Sequence, residues 1–333
     1  GDYELLVHKE GRPDSAKIPV TVKEGAELNL VLGSPQPSSV HFSVFDDRQR
    51  ALPAKISFFS VDDETIIKPN YGDHYISGNP AAVIFSTYGD GYVTLPPGTY
   101  NAVASRGPEY ELDWSETFTV SDGQNVNLEF NLFRSVDTTG WISADFHVHS
   151  FRSHDSGVTL EKRVSTMVAE GVEYFTGTDH DYIVDFDPTI EEMGLENWVN
   201  SAIGLETTTI EVGHYLGFPL RVDHLTNAGG AIDWTGLTPQ EIIDDMRELK
   251  RPTDPDDFQP IVFIGHPRDG ILGYFDQYSL NPYGDVDGDI ELSASLVSNF
   301  ITNANPVLKH ENFSTDVDAL ELLNGKRFEI IRT

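Results

Sequence analysis

Apolar and polar residues alternate in short runs over the first 137 residues, with turn residues between the runs. Residues 18–22, 28–32, 40–45, 55–59, 92–95, 100–104, 117–120 and 126–133 carry the two-residue period of strands with one buried face. Gly, Pro, Asp and Asn recur between them at spacings of about ten residues, which predicts a β-sandwich over 1–137, with residues 1–35 as a separable short β segment. Beyond Gly140 the period changes. Residues 141–149 read as a mostly apolar strand, and Leu160, Val164, Met167 and Val168 mark one helical face that stops at Gly171. Further strands are expected at 172–178, 201–205, 214–219, 260–265 and 319–323. Thr238 with Glu241 three residues later, and Pro239 between them, form a helix-start signature ahead of Ile242, Ile243, Met246 and Leu249. Strands alternating with helices over 138–333 predict a mainly parallel α/β layer or barrel, in which function gathers at the carboxyl ends of strands.

Composition narrows the chemistry. At roughly 150 residues per domain, 333 residues favour two domains. Lys plus Arg (22) less Asp plus Glu (54) gives −32, a charge that repels a nucleic-acid backbone. The acidity favours an extracytoplasmic setting, periplasmic or secreted, or salt adaptation, over a cytoplasmic one. With 39% hydrophobic residues the chain can build packed cores. No apolar run is long enough for a membrane span. The first residue is Gly, not Met, and both ends read as interrupted, so the sequence is taken as a piece of a longer protein. Cysteine is absent, which excludes disulfides, thiolate catalysis and sulfur-rich metal sites. Any metal must be held by nitrogen and oxygen.

Five histidines, His147, His149, His180, His214 and His266, fall at or beside expected strand ends in the second half. Residues i and i+2 of a strand share a face, so His147 and His149 can converge on one cation. Thr178-Asp179-His180-Asp181, Gly204-Leu205-Glu206 and Gly265-His266-Pro267-Arg268 place metal-competent side chains after three more strands. Asp285-Val286-Asp287-Gly288-Asp289 fails the EF-hand calcium template, because its Gly is at the fourth position and no Glu stands at the twelfth. It reads as an acidic loop.

Asp145-Phe146-His147-Val148-His149-Ser150, Ser153-His154-Asp155-Ser156 and the three motifs above, in that order, resemble the successive motifs of the PHP (polymerase and histidinol phosphatase) metallohydrolases. Gly107-Pro108-Glu109-Tyr110 running into 140–147, with the later Gly213-His214, resembles the CehA/McbA-type branch. The stretch 91–100 is similar to the strand, turn and strand of carboxypeptidase-regulatory-like (prealbumin-like) modules. The PHP resemblance implies a distorted (β/α)7 barrel with two or three divalent ions, Zn, Mn or Fe, at its mouth. It implies His147, His149, Asp155, His180, Glu206 and His266 as metal ligands, with Glu206 able to bridge, and His214 as a ligand or a substrate contact. Asp179 and Asp181 would hold imidazoles or backbone in place. Arg268 is either a clamp for an anionic or carbonyl group or a surface ion pair. The family closes its cluster with an Asp-x-His on a last strand, and none follows 320–325, so the resemblance implies a barrel lacking its C-terminal end, completed by a further segment or another subunit. Glu321 and Asn324 are weaker candidates to approach the site.

The function so implied is hydrolysis of a small molecule by metal-activated water, with His266 or His214 passing a proton to the leaving group. The superfamily implies a phosphoester. The branch implies a carbamate, amide or ester, which is preferred because the cations near the expected strand ends are chiefly Arg152, Arg221 and Arg268. The rival is a catalytically silent barrel whose β-domain binds a surface polymer or a partner protein.

Overall fold

A computed structural model of the protein describes residues 1–7, 15, 17–25, 27–33, 38–61, 80–269, 272–278 and 310–322. Contacts divide the chain into two units, Gly1–Ile142 with Ser165–Val172, and Ser143–Val164 with Glu173–Thr333. Both are dominated by strands. No helix among the described residues is long and apolar enough to cross a membrane.

The strands of the first unit are β1 (Asp2–Leu5), β2 (Ile18–Thr21), β3 (Ser39–Phe45), β4 (Ala54–Ser60), β5 (Ala82–Ser86), β6 (Asp90–Val93), β7 (Gly98–Ser105), β8 (Asp113–Trp114), β9 (Phe118–Val120) and β10 (Asn125–Asn131). β1 and β2 form a separate antiparallel pair. β3 lies between β10 and β6, while β4 and β7 centre a second sheet that takes in β5, β8 and β9. Val40, Phe42 and Val44 alternate inward on β3, as Ala54, Ile56 and Phe58 do on β4. The two inner faces meet where the Phe42 and Phe58 rings stand 6.4 Å apart. Residues 28–32, expected as a strand, are not one. Leu28, Leu30 and Val31 are all exposed, so the alternation there has no core to face. Conversely β5 was not expected, because its Ala-Val-Ile-Phe run is apolar throughout and lacks the period.

The second unit carries β11 (Ala144–Val148), α1 (Leu160–Ala169, shared with the first unit), β12 (Tyr174–Gly177), α2 (Asp187–Glu192), β13 (Asn200–Ile203), β14 (Leu205–Thr208), β15 (His214–Phe218), α3 (Pro239–Glu248), β16 (Ile261–Gly265), α4 (Tyr274–Gln277) and β17 (Ala319–Leu320). β11, β12 and β13 are parallel neighbours. The expected mainly parallel arrangement does not extend further: β14, β15 and β16 pair antiparallel, and β17 returns parallel to β16. Residues 209–213 are too few for a crossover, so β14 and β15 must form a hairpin. Its turn is fixed by Thr209, whose hydroxyl accepts from Val212 N and donates to Gly213 O, and by Gly213 at φ 86°. A Cβ at Gly213 would strike the Tyr274 backbone.

Strand β11 starts later than expected, leaving Trp141 and Ile142 exposed. Helix α3 begins as the sequence indicates: Thr238 accepts from Glu241 N, and Glu241 caps Thr238 in return. Its Ile242, Ile243 and Met246 pack into a core with Leu205, Tyr215, Val262 and Ile264. The acidic loop expected at Asp285–Asp289 lies outside the described residues.

Candidate metal centre

The centre is built around one carboxylate. Glu206, on β14, is wholly buried. Pairing of β14 with β15, and of β15 with β16, stacks Thr208, His214 and Gly265 in register, which brings His214 and His266 to one side of it. His180 reaches it through an isolated parallel bridge between residues 180 and 206. His147 and His149 arrive from β11 and the residue just past its end, on the shared face that the i, i+2 spacing requires.

The two carboxylate oxygens divide these imidazoles. Glu206 Oε1 lies 2.8 Å from His214 Nδ1 and 3.2 Å from His266 Nε2. Glu206 Oε2 lies 3.3 Å from His147 Nε2, 3.3 Å from His149 Nε2 and 3.0 Å from His180 Nδ1. Donor atoms of His147, Glu206 and His266 fall within 4.8 Å of one another, as do those of His149, His180 and Glu206. A Cβ at Gly265 would strike Leu216 Cδ1 at 2.5 Å, so glycine is what lets this strand end pack beside His147 and Glu206. His266 itself adopts φ 26°, a left-handed backbone costly for a non-glycine residue and held here by the hydrogen bond that its backbone N–H donates to Glu321 Oε2.

Asp155 is half-exposed at the edge of this group, 3.4 Å from His180 Nε2 and 4.0 Å from His149 Nδ1. Asp179 is buried and accepts from Ser150 N, Ser150 Oγ and Ser153 N, so it fixes the loop after His149. Asp181 accepts from Thr208 N and Trp234 Nε1. Arg268 pairs with Asp276 at 3.2 Å and lies over the Phe275 ring.

Glu321, a weaker candidate from the sequence, and His154, to which the sequence assigns no role, join the site. Glu321 Oε2 lies 3.2 Å from His147 Nδ1 and accepts from His266 N at 2.6 Å. His154, within the Ser153–Ser156 motif but given no role there, stacks on the His180 ring with centroids 4.6 Å apart. Ser153 and Thr208 also touch the cluster, at His149 Nδ1 and His180 Nδ1. Hydroxyl residues of this kind have no distinguishing spacing in sequence. Asn324 lies outside the described residues.

The protonation balance shows what the donor set suits. Burial opposes a charged His147, but Glu206 and Glu321 outweigh it and hold its pKa up at about 10. Burial, with the neighbouring His147 and His180, pushes His149 down to about 4 against the pull of Glu206. Burial likewise lowers His180. Burial acts to raise Glu206, and its imidazole partners override that and hold it well below the usual carboxylate range. Burial also acts to raise Asp155, yet His180 and His149 keep it low. The anions are thus ready ligands, and among the imidazoles His149 and His180 prefer to be neutral. Each ring nitrogen that donates to Glu206 leaves the other nitrogen needing a donor, and His214 Nε2 and His266 Nδ1 are buried with no hydrogen-bond partner. Imidazole and carboxylate lone pairs converging on shared points fit divalent metal ions.

Glu321 completes a carboxylate–histidine arrangement that fixes which His147 nitrogen faces Glu206. Glu321→Gln is expected to retain metal but bind it about 10- to 100-fold more weakly in chelator competition. Unchanged affinity would show that Glu321 merely neighbours the centre.

No protein-family model matches the chain, and no curated protein matches it by sequence. Among solved structures, a two-domain protein containing a predicted PHP-like metal-dependent phosphoesterase from Bacteroides vulgatus ATCC 8482 aligns over 42% of this chain and 38% of its own, at 18% identity and a TM-score of 0.29. Phospholipase PlaB from Legionella pneumophila aligns over 41% of this chain and 30% of its own, at 13% identity and a TM-score of 0.22. The same phospholipase with thio-NAD aligns at 14% identity over 41% and 31%, with a TM-score of 0.22. The alignment therefore spans less than two fifths of each of these chains. Similarity at this level assigns neither a family nor an activity.

Proposed function

We propose that the protein is a metal-dependent hydrolase of the PHP type, acting on a small ester, carbamate, amide or phosphoester. The observation that carries this reading is the buried Glu206 carboxylate, which lies within 3.3 Å of ring nitrogens of five histidines and is common to two sets of converging donor atoms. His147, Glu206 and His266 would hold one ion and His149, His180 and Glu206 a second, with Asp155 beside the second. Bound there, divalent ions would supply a water acidic enough to attack at neutral pH and a positive charge for the oxygen on the reacting centre. Glu206 keeps the two groups at a fixed separation, and Asp179 holds the loop that carries His149 and Asp155. His214, which belongs to neither donor set and whose Nε2 has no hydrogen-bond partner among the described residues, is the group suited to hand a proton to the leaving group. In this reading the CehA/McbA-like branch and the carboxypeptidase-regulatory-like first unit are finer assignments, resting on the sequence motifs alone.

The test is elemental analysis after dialysis in metal-free buffer, followed by reconstitution with Mn or Zn and assay of p-nitrophenyl phosphate and p-nitrophenyl acetate. At least one ion per chain and metal-dependent hydrolysis of either ester are expected. Less than about 0.1 ion per chain with no uptake on reconstitution would refute the centre.

A further inference from the structure

We propose that Arg152 recognises an anionic group on the substrate of this centre. The inference rests on the hydrolase reading and adds to it the charge of the substrate.

Arg152 lies on the loop that Asp179 pins through Ser150 and Ser153. Its neighbour Ser153 touches two histidines of the cluster, through its hydroxyl to His149 Nδ1 at 2.8 Å and to His180 N at 2.9 Å. The Arg152 guanidinium carbon stands 4.6 Å from the centre of the Phe151 ring and 5.0 Å from that of Tyr182, two residues beyond His180. The cation is therefore held between the two loops that carry His149 and His180. Ring faces hold a guanidinium by its charge and leave its N–H donors unused.

Those donors have no carboxylate. Among the described residues no Asp or Glu is within ion-pair reach of Arg152, although the chain has 54 acidic residues against 22 basic ones. Arg50, Arg134, Arg247, Arg251 and Arg268 each have such a partner. Of the three cations expected near the strand ends, Arg268 is thus engaged by Asp276, while Arg152 and Arg221 have no carboxylate partner among the described residues, and only Arg152 is on the loop that carries His149. A guanidinium presents its donors as a fork matched to two anionic oxygens, as on a phosphoryl or carboxylate group. Holding it on two rings before substrate arrives reduces the ordering cost of binding. In a chain of charge −32 an anionic substrate meets general repulsion, so a local cation decides whether it is accepted.

The experiment compares metal-reconstituted wild type, Arg152→Gln and Arg152→Lys on three p-nitrophenyl esters: the phosphate, the hemisuccinate, and the neutral acetate. Metal content of the three proteins is measured alongside. In Arg152→Gln the ratio of kcat/KM for an anionic ester to that for the acetate is expected to fall about 10- to 100-fold, mainly through KM, with metal content unchanged. Arg152→Lys should recover part of the loss, since it keeps the charge without the fork. The anionic ester that responds identifies a phosphoryl or a carboxylate substrate. Equal ratios in wild type and Arg152→Gln for both anionic esters would overturn the proposal. If wild type cleaves none of the three, the hydrolase reading fails separately, and calorimetry with inorganic phosphate and succinate on the Mn-loaded protein still decides the role of Arg152. Binding at least about tenfold weaker in Arg152→Gln supports it, and equal binding refutes it.

Discussion

Glu206→Gln is expected to empty both halves of the centre at once. The substitution keeps the shape of the side chain but removes the anion that both donor groups share, and it turns an amide N–H toward imidazole lone pairs. Metal should fall below about 0.1 ion per chain, and any hydrolysis by at least about 100-fold. His149→Ala and His266→Ala each touch only one group, so each should leave part of the metal in place. Far-UV circular dichroism should be unchanged in Glu206→Gln, because the side chain keeps its volume in a fully buried position. If Glu206→Gln lost no more metal than the single histidine variants, the two groups would be independent sites and the shared carboxylate incidental.

The second large effect is on how stability depends on pH with and without metal. In the metal-free protein, His147 is raised from 6.5 to about 10, so the folded state binds more protons than the unfolded chain between those values. Its contribution is complete below pH 6.5 and is lost as pH rises toward 10. His149 is lowered from 6.5 to about 4, so stability rises with pH across that interval as its proton leaves the unfolded chain. Glu206, held well below its ordinary 4.5, contributes above that value and loses its contribution in stronger acid. The metal-free second unit should therefore be most stable near pH 6.5 and melt at progressively lower temperature toward pH 10. Metal requires neutral imidazoles, so its binding strengthens over the same interval and the gap in melting temperature should widen. Binding at pH 8 should also release about one proton, from His147, visible in calorimetry as a dependence on the ionisation enthalpy of the buffer. A melting curve for the metal-free protein that is flat from pH 6.5 to 10, with no proton release, would mean that His147 is neutral before metal arrives.

Most of the donors can be found in the sequence because each local pattern has its own physical cause. Strand alternation puts His147 and His149 on one face, and Thr238, Pro239 and Glu241 mark the start of α3 by satisfying free amides there. Apolar runs ahead of His180 and His266 mark strand ends, whereas Glu206, expected just past a strand at 201–205, lies within β14 because that run is broken into β13 and β14. Alternation misled at 28–32, where no core faces it, and failed at β5, where both faces are apolar.

What the sequence determines by itself is therefore a strand-rich chain, free of cysteine, with nitrogen and oxygen donors on or beside successive strands of its second half. Tertiary structure alone decides which donors share an ion, because that depends on long-range register. Antiparallel pairing of β14 with β15 and of β15 with β16 sets His214 and His266 against Glu206 Oε1, leaving Oε2 to His147, His149 and His180. Glu321 is 174 residues from His147, and Arg152 meets Tyr182 only because Asp179 draws the two loops together. Such contacts are settled by which strands pair and in what register, and no local period in the chain encodes either.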